Sequence, residues 1–115
     1  MLTRGELWWA DFGEPRASEP GFRRPVVIVQ SDDFNRSALR TVLVAVVTST
    51  EQLAFSPGNV RLSKRATGLA KASIVNITQV YPLDRGFLVE RICRLSPDTM
   101  KQIDDGLRLV LTLPT

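Results

Sequence analysis

The chain has 115 residues, 43% of them apolar and 23% charged, with a formal net charge of +3. That length supports one domain, residues 1–115, with a hydrophobic core of its own, and the composition excludes disorder as its main state. Histidine is absent, which removes the commonest general base and metal ligand, and the lone Cys93 excludes an internal disulfide and a cysteine-based zinc site.

The first expected strand is residues 6–12, Glu-Leu-Trp-Trp-Ala-Asp-Phe, bulky and β-prone. Residues 13–23 follow as a polar loop rich in Gly, Pro and Ser. At about eleven residues it exceeds an ordinary hairpin connection, and long ordered loops in compact domains often carry function. A continuous apolar run at residues 25–30 reads as a strand buried on both faces, with Pro25 acceptable only at its start, where a missing N–H does no harm. Ser31 or Asp32 then N-caps a turn or single helical turn over residues 31–37.

The third strand, residues 41–47, is the most hydrophobic stretch and ends in the hydroxyl cluster Thr48-Ser49-Thr50. A turn at residues 56–59, a short strand at 60–62 and a basic, glycine-containing loop at 65–73 come next. Residues 74–81 alternate, with Val75, Ile77 and Tyr81 on one face, Asn76 and Thr78 on the other, and Gln79 interrupting the apolar side. Pro82 and Gly86 bracket another turn before a last strand at 87–95. The end is helical: Ser96 is a good N-cap, Pro97 suits the first turn, and Asp98 complements the helix dipole. Met100, Ile103, Leu107, Val110 and Leu111 follow with three-four spacing on one face. Gly106 costs that helix about 1 kcal/mol relative to Ala, so packing decides the fold there. Short strands closed by one amphipathic helix make the expected class mainly β, a small, partly open barrel with a C-terminal helix packed on it.

Cys93 sits among mixed apolar and charged residues and reads as a half-buried structural thiol rather than a reactive one. The opening Met-Leu-Thr-Arg-Gly-Glu lacks the apolar core of a signal peptide, and the apolar run at 42–47 is far too short to span a bilayer. The expected location is therefore the cytoplasm, with no membrane association. Twelve arginines against three lysines suit phosphate recognition, although genome composition alone produces the same bias.

Without histidine, catalysis rests on arginine, carboxylates, hydroxyls and backbone dipoles. If the second and third strands are antiparallel neighbours, Arg24 at the start of one and Thr48 at the end of the other lie at the same end of the sheet. A cation and a hydroxyl then face one pocket beneath the loop that carries Ser18 and Glu19. That arrangement fits phosphodiester cleavage in RNA, which supplies its own nucleophile, the 2′-hydroxyl. Arginine stabilises the charge of the phosphorane but cannot act as a base, which leaves Glu19 as the nearest acid–base group. Each feature also has a plainer explanation. Arg24 is equally a solvated surface charge, Thr48-Ser49-Thr50 equally turn chemistry, and Gln79 equally a core amide satisfied by backbone.

Residues 4–12, Arg-Gly-Glu-Leu-Trp-Trp-Ala-Asp-Phe, and residues 18–32, Ser-Glu-Pro-Gly-Phe-Arg-Arg-Pro-Val-Val-Ile-Val-Gln-Ser-Asp, resemble the MazF/PemK toxin family. So do the strand at 44–49, Gly68-Leu69, Gln79-Val80 and the closing helix, and the similarity runs from residue 4 to about 113. Any one piece is weak; five in order at family-like spacing are specific. The resemblance implies an SH3-like barrel, a homodimer, and sequence-specific cleavage of single-stranded RNA without metal or cofactor, leaving 2′,3′-cyclic phosphate and 5′-hydroxyl ends. It assigns Arg24 and Thr48 to the family's catalytic arginine and threonine, and Glu19 to an acidic residue implicated in some members. Ser18, Arg23, Ser31, Ser49 and Gln79 make up the implied RNA-binding set. The implied partner is a MazE-like antitoxin whose extended, often acidic tail blocks the RNA site.

Two departures stand out. Ala17 replaces a frequent glycine just before Ser18-Glu19, and the adjacent Arg23 and Arg24 leave Pro25 to fix the register. Two other functions stay open on the same barrel: a non-enzymatic toxin that binds a protein such as DNA gyrase, and a catalytically idle RNA-binding module.

Overall fold

The computed structural model describes residues 1–13 and 22–114. Six strands form one antiparallel sheet: β1 (Glu6–Asp11), β2 (Arg23–Ile28), β3 (Thr41–Thr48), β4 (Val60–Leu62), β5 (Ser73–Asp84) and β6 (Leu88–Arg94). Their spatial order is β4-β5-β3-β2-β1-β6. Short helices α1 (Asp32–Asn35) and α2 (Lys64–Thr67) lie in connections, and α3 (Pro97–Leu111) closes the chain.

Chain length forces the sheet to curl. β5 and β6 stand four strand spacings apart, about 19 Å across a flat sheet at roughly 4.8 Å per spacing. They are joined by a single 3-10 turn, Arg85–Phe87. Four extended Cα steps reach at most about 14 Å, so the sheet bends into a half-barrel until its ends meet. Register shifts in the β1–β6 and β3–β5 ladders supply the extra local twist.

Alternation along the strands divides the core in two. Leu7, Val27, Ala45, Val47 and Val75 pack with Ile103 of α3, while Ala10, Val26, Ile28, Val42 and Val44 pack with Leu2 and Leu83. The run at Val26, Val27 and Ile28 is buried on both faces, as its unbroken apolar sequence predicts. Cys93 packs half-buried at the edge of the first cluster.

Several boundaries differ from expectation. β2 starts at Arg23, so Pro25 lies inside the strand. This is permitted because β2 pairs with β3 only from Val26 onward, leaving Pro25 a neighbour on the β1 side alone. The turn expected between Pro82 and Gly86 starts later, at Arg85, and β5 continues through Pro82, opposite Leu43, to Asp84. Beyond Val75 the strand has left β4 behind, and among the described residues no other strand pairs with it on that side, so proline costs no ladder bond there. The loop expected at 65–73 contains α2, capped by the Ser63 hydroxyl at one end and left-handed Gly68 at the other.

In α3, Ser96 accepts from Thr99 N and Pro97 occupies the first turn. Ile103 is fully buried, but Val110 and Leu111 are 40% and 57% exposed, because the helix outruns the sheet. Gly106 has a packing reason: a methyl group there would overlap the backbone carbonyl of Gly58, itself in a left-handed conformation. The helix and the turn before β4 touch through bare backbone.

Candidate active site

The β2–β3 ladder pairs Ile28 with Val44, Val27 with Ala45 and Val26 with Val46, and stops there. Continuing that register by two residues would set Arg24 opposite Thr48. The strands instead diverge, β2 staying on β1 (Arg24 opposite Ala10) and β3 on β5 (Thr48 opposite Ile74). By alternation Arg24 and Thr48 share one face of the sheet and Trp9, Pro25, Val47 and Ser49 belong to the other. Because the strands part, side chains from both faces line a single cleft of about 300 Å³. It is completed by Arg23 and by Leu69, Ala70, Lys71 and Ser73 from the segment after α2.

Arg24 is half-buried, and its Nε is enclosed without a hydrogen-bond partner. A cationic donor in that condition is costly to hold, and the guanidinium it belongs to borders the cleft. The Thr48 hydroxyl is fixed in place: Oγ1 donates to Thr50 Oγ1 and accepts from Thr50 N, each at 3.2 Å. Turn chemistry and a functional hydroxyl therefore coexist in this side chain, with lone-pair capacity left over. Ser49 is exposed on the rim.

Arg23 lies over the Trp9 ring, with its guanidinium carbon 5.5 Å from the centroid, and this restrains the outermost cation of the cleft. Phe12 N donates to Phe22 O at 2.9 Å and Phe22 N to Gly13 O, so the β1–β2 connection is pinned at its base. Phe22 adopts φ 59°, which is unusual for a bulky residue. Lys71 is the contribution that sequence reasoning missed. The only hint was its place at the basic end of the segment after Gly68, whose left-handed turn carries the chain back toward β5. Arg23, Arg24 and Lys71 give the cleft three cations, with no carboxylate among its described lining residues.

The remaining expected residues lie elsewhere. Ser31 is at the far end of β2, where its hydroxyl caps α1 by accepting from Asp33 N. Gln79 falls in the register shift of β5 and accepts from Asn76 Nδ2, in a network that also holds Asn59. Neither lines the Arg24–Thr48 cleft. Ser18 and Glu19 lie outside the described residues. Burial pushes the Cys93 thiol pKa up, the direction of an inert thiol, despite the nearby Arg91 charge. Among the described residues no three His, Cys, Asp or Glu side chains group as a metal site would require.

Residues 3–111 match the family described as the PemK-like, MazF-like toxin of type II toxin-antitoxin systems. Endoribonuclease MazF6 of Mycobacterium tuberculosis H37Rv is 43% identical over 113 residues, covering 98% of this chain and 99% of the relative. Endoribonuclease MazF2 of Mycobacterium bovis matches to the same extent. Among solved structures, MazF from Deinococcus radiodurans superposes with a TM-score of 0.79 at 22% identity, over 96% of each chain. A mycobacterial endoribonuclease solved with its cognate antitoxin gives 0.77 at 24% identity, over 100% of this chain and 99% of that one. At those identities the structural matches establish the half-barrel fold.

Proposed function

The chain belongs to the PemK-like, MazF-like toxins of type II toxin–antitoxin systems, and from that premise we propose that it is an endoribonuclease toxin cutting single-stranded RNA at the Arg24–Thr48 cleft. The observation that carries this reading is the buried, unpartnered Arg24 Nε at the same cleft as a hydroxyl locked by its own turn.

In the proposed reaction the 2′-hydroxyl attacks the adjacent phosphorus. Its proton goes to a base, a new O–P bond forms, and the bond to the 5′-oxygen breaks. The departing 5′-oxygen takes up a proton, so the products are a 2′,3′-cyclic phosphate and a 5′-hydroxyl. Arg24 neutralises the charge that grows on the non-bridging oxygens, an effect typically worth 10²–10³ in rate. Thr48 orients the phosphate or the attacking hydroxyl, and Arg23 and Lys71 hold flanking phosphates. Glu19 is the proposed proton acceptor. No metal enters the scheme, so cleavage is expected to persist in EDTA.

The same three cations suit the acidic tail of a MazE-like antitoxin, which would inhibit by occupying the RNA site. The proposed location is the cytoplasm, where the RNA substrate is found. Among the described residues no helix is long and apolar enough to cross a membrane. The relatives named endoribonucleases favour cleavage over a non-enzymatic toxin aimed at a protein such as DNA gyrase.

The test is a long RNA incubated in EDTA with the wild type, Arg24→Ala and Thr48→Ala, followed by end-group analysis. Cutting by the wild type with cyclic phosphate ends, and loss of about 10²–10³ in rate in each variant, is expected. Intact RNA with the wild type would overturn the activity, and equal cutting by all three would overturn the site.

A further inference from the structure

Among the described residues two side-chain nitrogens are buried without a hydrogen-bond partner, and both are arginine Nε atoms. One is Arg24 at the active cleft. The other is Arg85, in the 3-10 turn that joins β5 to β6. Arg85 borders a separate cleft of about 290 Å³, lined by Ser37, Ala38, Leu39, Arg40, Asp84 and Gly86. This second cleft lies at the opposite end of the β3–β5 ladder: Thr41 pairs with Asp84 at one end and Thr48 with Ile74 at the other. Seven residue steps along β3 separate the two by about 23 Å.

The second cleft is built around its cations. Arg85 N donates to Arg40 O at 3.0 Å, which holds the two arginines together. Arg85 Nη2 donates to Phe34 O at 3.2 Å and fixes the plane of the guanidinium. Asp84 supplies the one carboxylate; its Oδ1 accepts from Gly86 N at 2.8 Å and its Oδ2 stands 3.9 Å from Arg40 Nε. Two arginines against one aspartate leave a positive balance, and the enclosed Nε–H remains unsatisfied. Two exposed phenylalanines belong to the same segments: Phe34, whose carbonyl Arg85 grips, is 58% exposed, and Phe87, two residues on in the same turn, is 53% exposed.

Cations interleaved with exposed aromatic rings are the chemistry of single-stranded nucleic acid binding, where arginine takes the phosphate and a ring takes a base face. We propose that the Arg40–Arg85 cleft is a second contact site for single-stranded RNA, gripping a backbone phosphate away from the bond that is cut. An acidic peptide would satisfy the arginines but leave the two phenyl rings without a role, so RNA is the better occupant. The site rests on the RNA-cleaving reading for its ligand class, and it extends recognition beyond the Arg24–Thr48 cleft.

The test uses uncleavable 2′-O-methyl oligonucleotides of mixed sequence, about 4 and about 16 nucleotides long, with binding followed by fluorescence anisotropy over a salt series. The full chain is compared with Arg85→Ala, Arg85→Lys, Arg40→Ala and Phe87→Ala. For the long oligonucleotide, Arg85→Ala is expected to weaken binding about tenfold. The same change should reduce the salt slope by roughly one phosphate contact. Affinity for the short one, and the rate of cutting short RNA, should stay unchanged. Arg85→Lys retains the charge without Nε and should recover only part of the loss. Arg40→Ala reads the same cleft without removing the bond to Phe34 O, so it stands as the measure if Arg85→Ala lowers the melting temperature. Equal losses at both lengths, no loss from either arginine, or arginine-dependent binding of polyglutamate with none of RNA would each overturn the proposal. Cleavage of ordinary RNA by the wild type is scored in its own assay, so failure of the nuclease reading and failure of this site are distinguished.

Discussion

Arg24 is a residue whose burden on the fold and value to the site have the same origin. Its Nε is buried without a partner, and an unsatisfied buried donor typically costs 1–3 kcal/mol. Replacement by methionine is therefore expected to leave thermal stability unchanged or raise it by up to about 1 kcal/mol while slowing cleavage about 10²–10³-fold; a marked fall in melting temperature would show that the guanidinium supports the fold. Glu6 is the opposite case. Burial pushes its carboxyl pKa up, but the Arg91 guanidinium at 2.7 Å, Thr3 N and the Trp8 indole N–H outweigh this and hold it below the ordinary value of 4.5. Between that value and the lower folded one, the unfolded chain binds the proton more readily, so the stability contributed by Glu6 is present above pH 4.5 and is lost as acid is added. With Arg91 half-exposed, Glu6→Gln should cost about 1 kcal/mol at neutral pH, and melting curves of the two proteins should converge in acid. A constant gap down to pH 2 would assign the loss to packing. Arg24 and Thr48 could be picked from the sequence because a strand start and a strand end are legible there. Lys71 could not, because its approach depends on how the segment after α2 folds back over the fork.

At the scale of elements, burial patterns were legible where one neighbour on each side determines them, and obscure where strands change partners. The run at 25–30 announced a two-faced strand, and Ser96-Pro97-Asp98 announced the start of α3. The extension of β5 through Pro82 could not be read, since it depends on an edge being free, which is a property of the sheet and not of the strand. The register shift that displaces Gln79 is equally invisible in a one-dimensional pattern. The three-four spacing of α3 placed Val110 and Leu111 on the packed face correctly in angle but past the end of the sheet. Gly106 offers a sharp test. Alanine gains about 1 kcal/mol of helix propensity, yet its methyl meets the Gly58 carbonyl, and such overlap with backbone costs about 1–3 kcal/mol. Gly106→Ala is expected to lower stability by about 1–2 kcal/mol in chemical denaturation. A stabilised variant would mean that the Gly58 turn yields freely.

The whole molecule leaves apolar surface uncovered. Leu109 and Leu111 at the end of α3 and Leu113 just beyond it are 60%, 57% and 52% exposed, and apolar surface left bare on a small barrel favours self-association. Light scattering is expected to give a dimer mass, and Leu109→Asp combined with Leu111→Asp should shift it toward the monomer. A monomer mass independent of concentration would count against the homodimer that the family resemblance implies. One long-range pairing also gives this fold an order in time. β1 takes β6, made about 80 residues later in the chain, as its outer neighbour, with Glu6 opposite Arg94. At about 5–20 residues per second the first strand waits on the order of 4–18 s for that neighbour to be made. The half-barrel closes only once β6 has been made, so a chain broken off before β6 is expected to leave the outer edge of β1 unpaired.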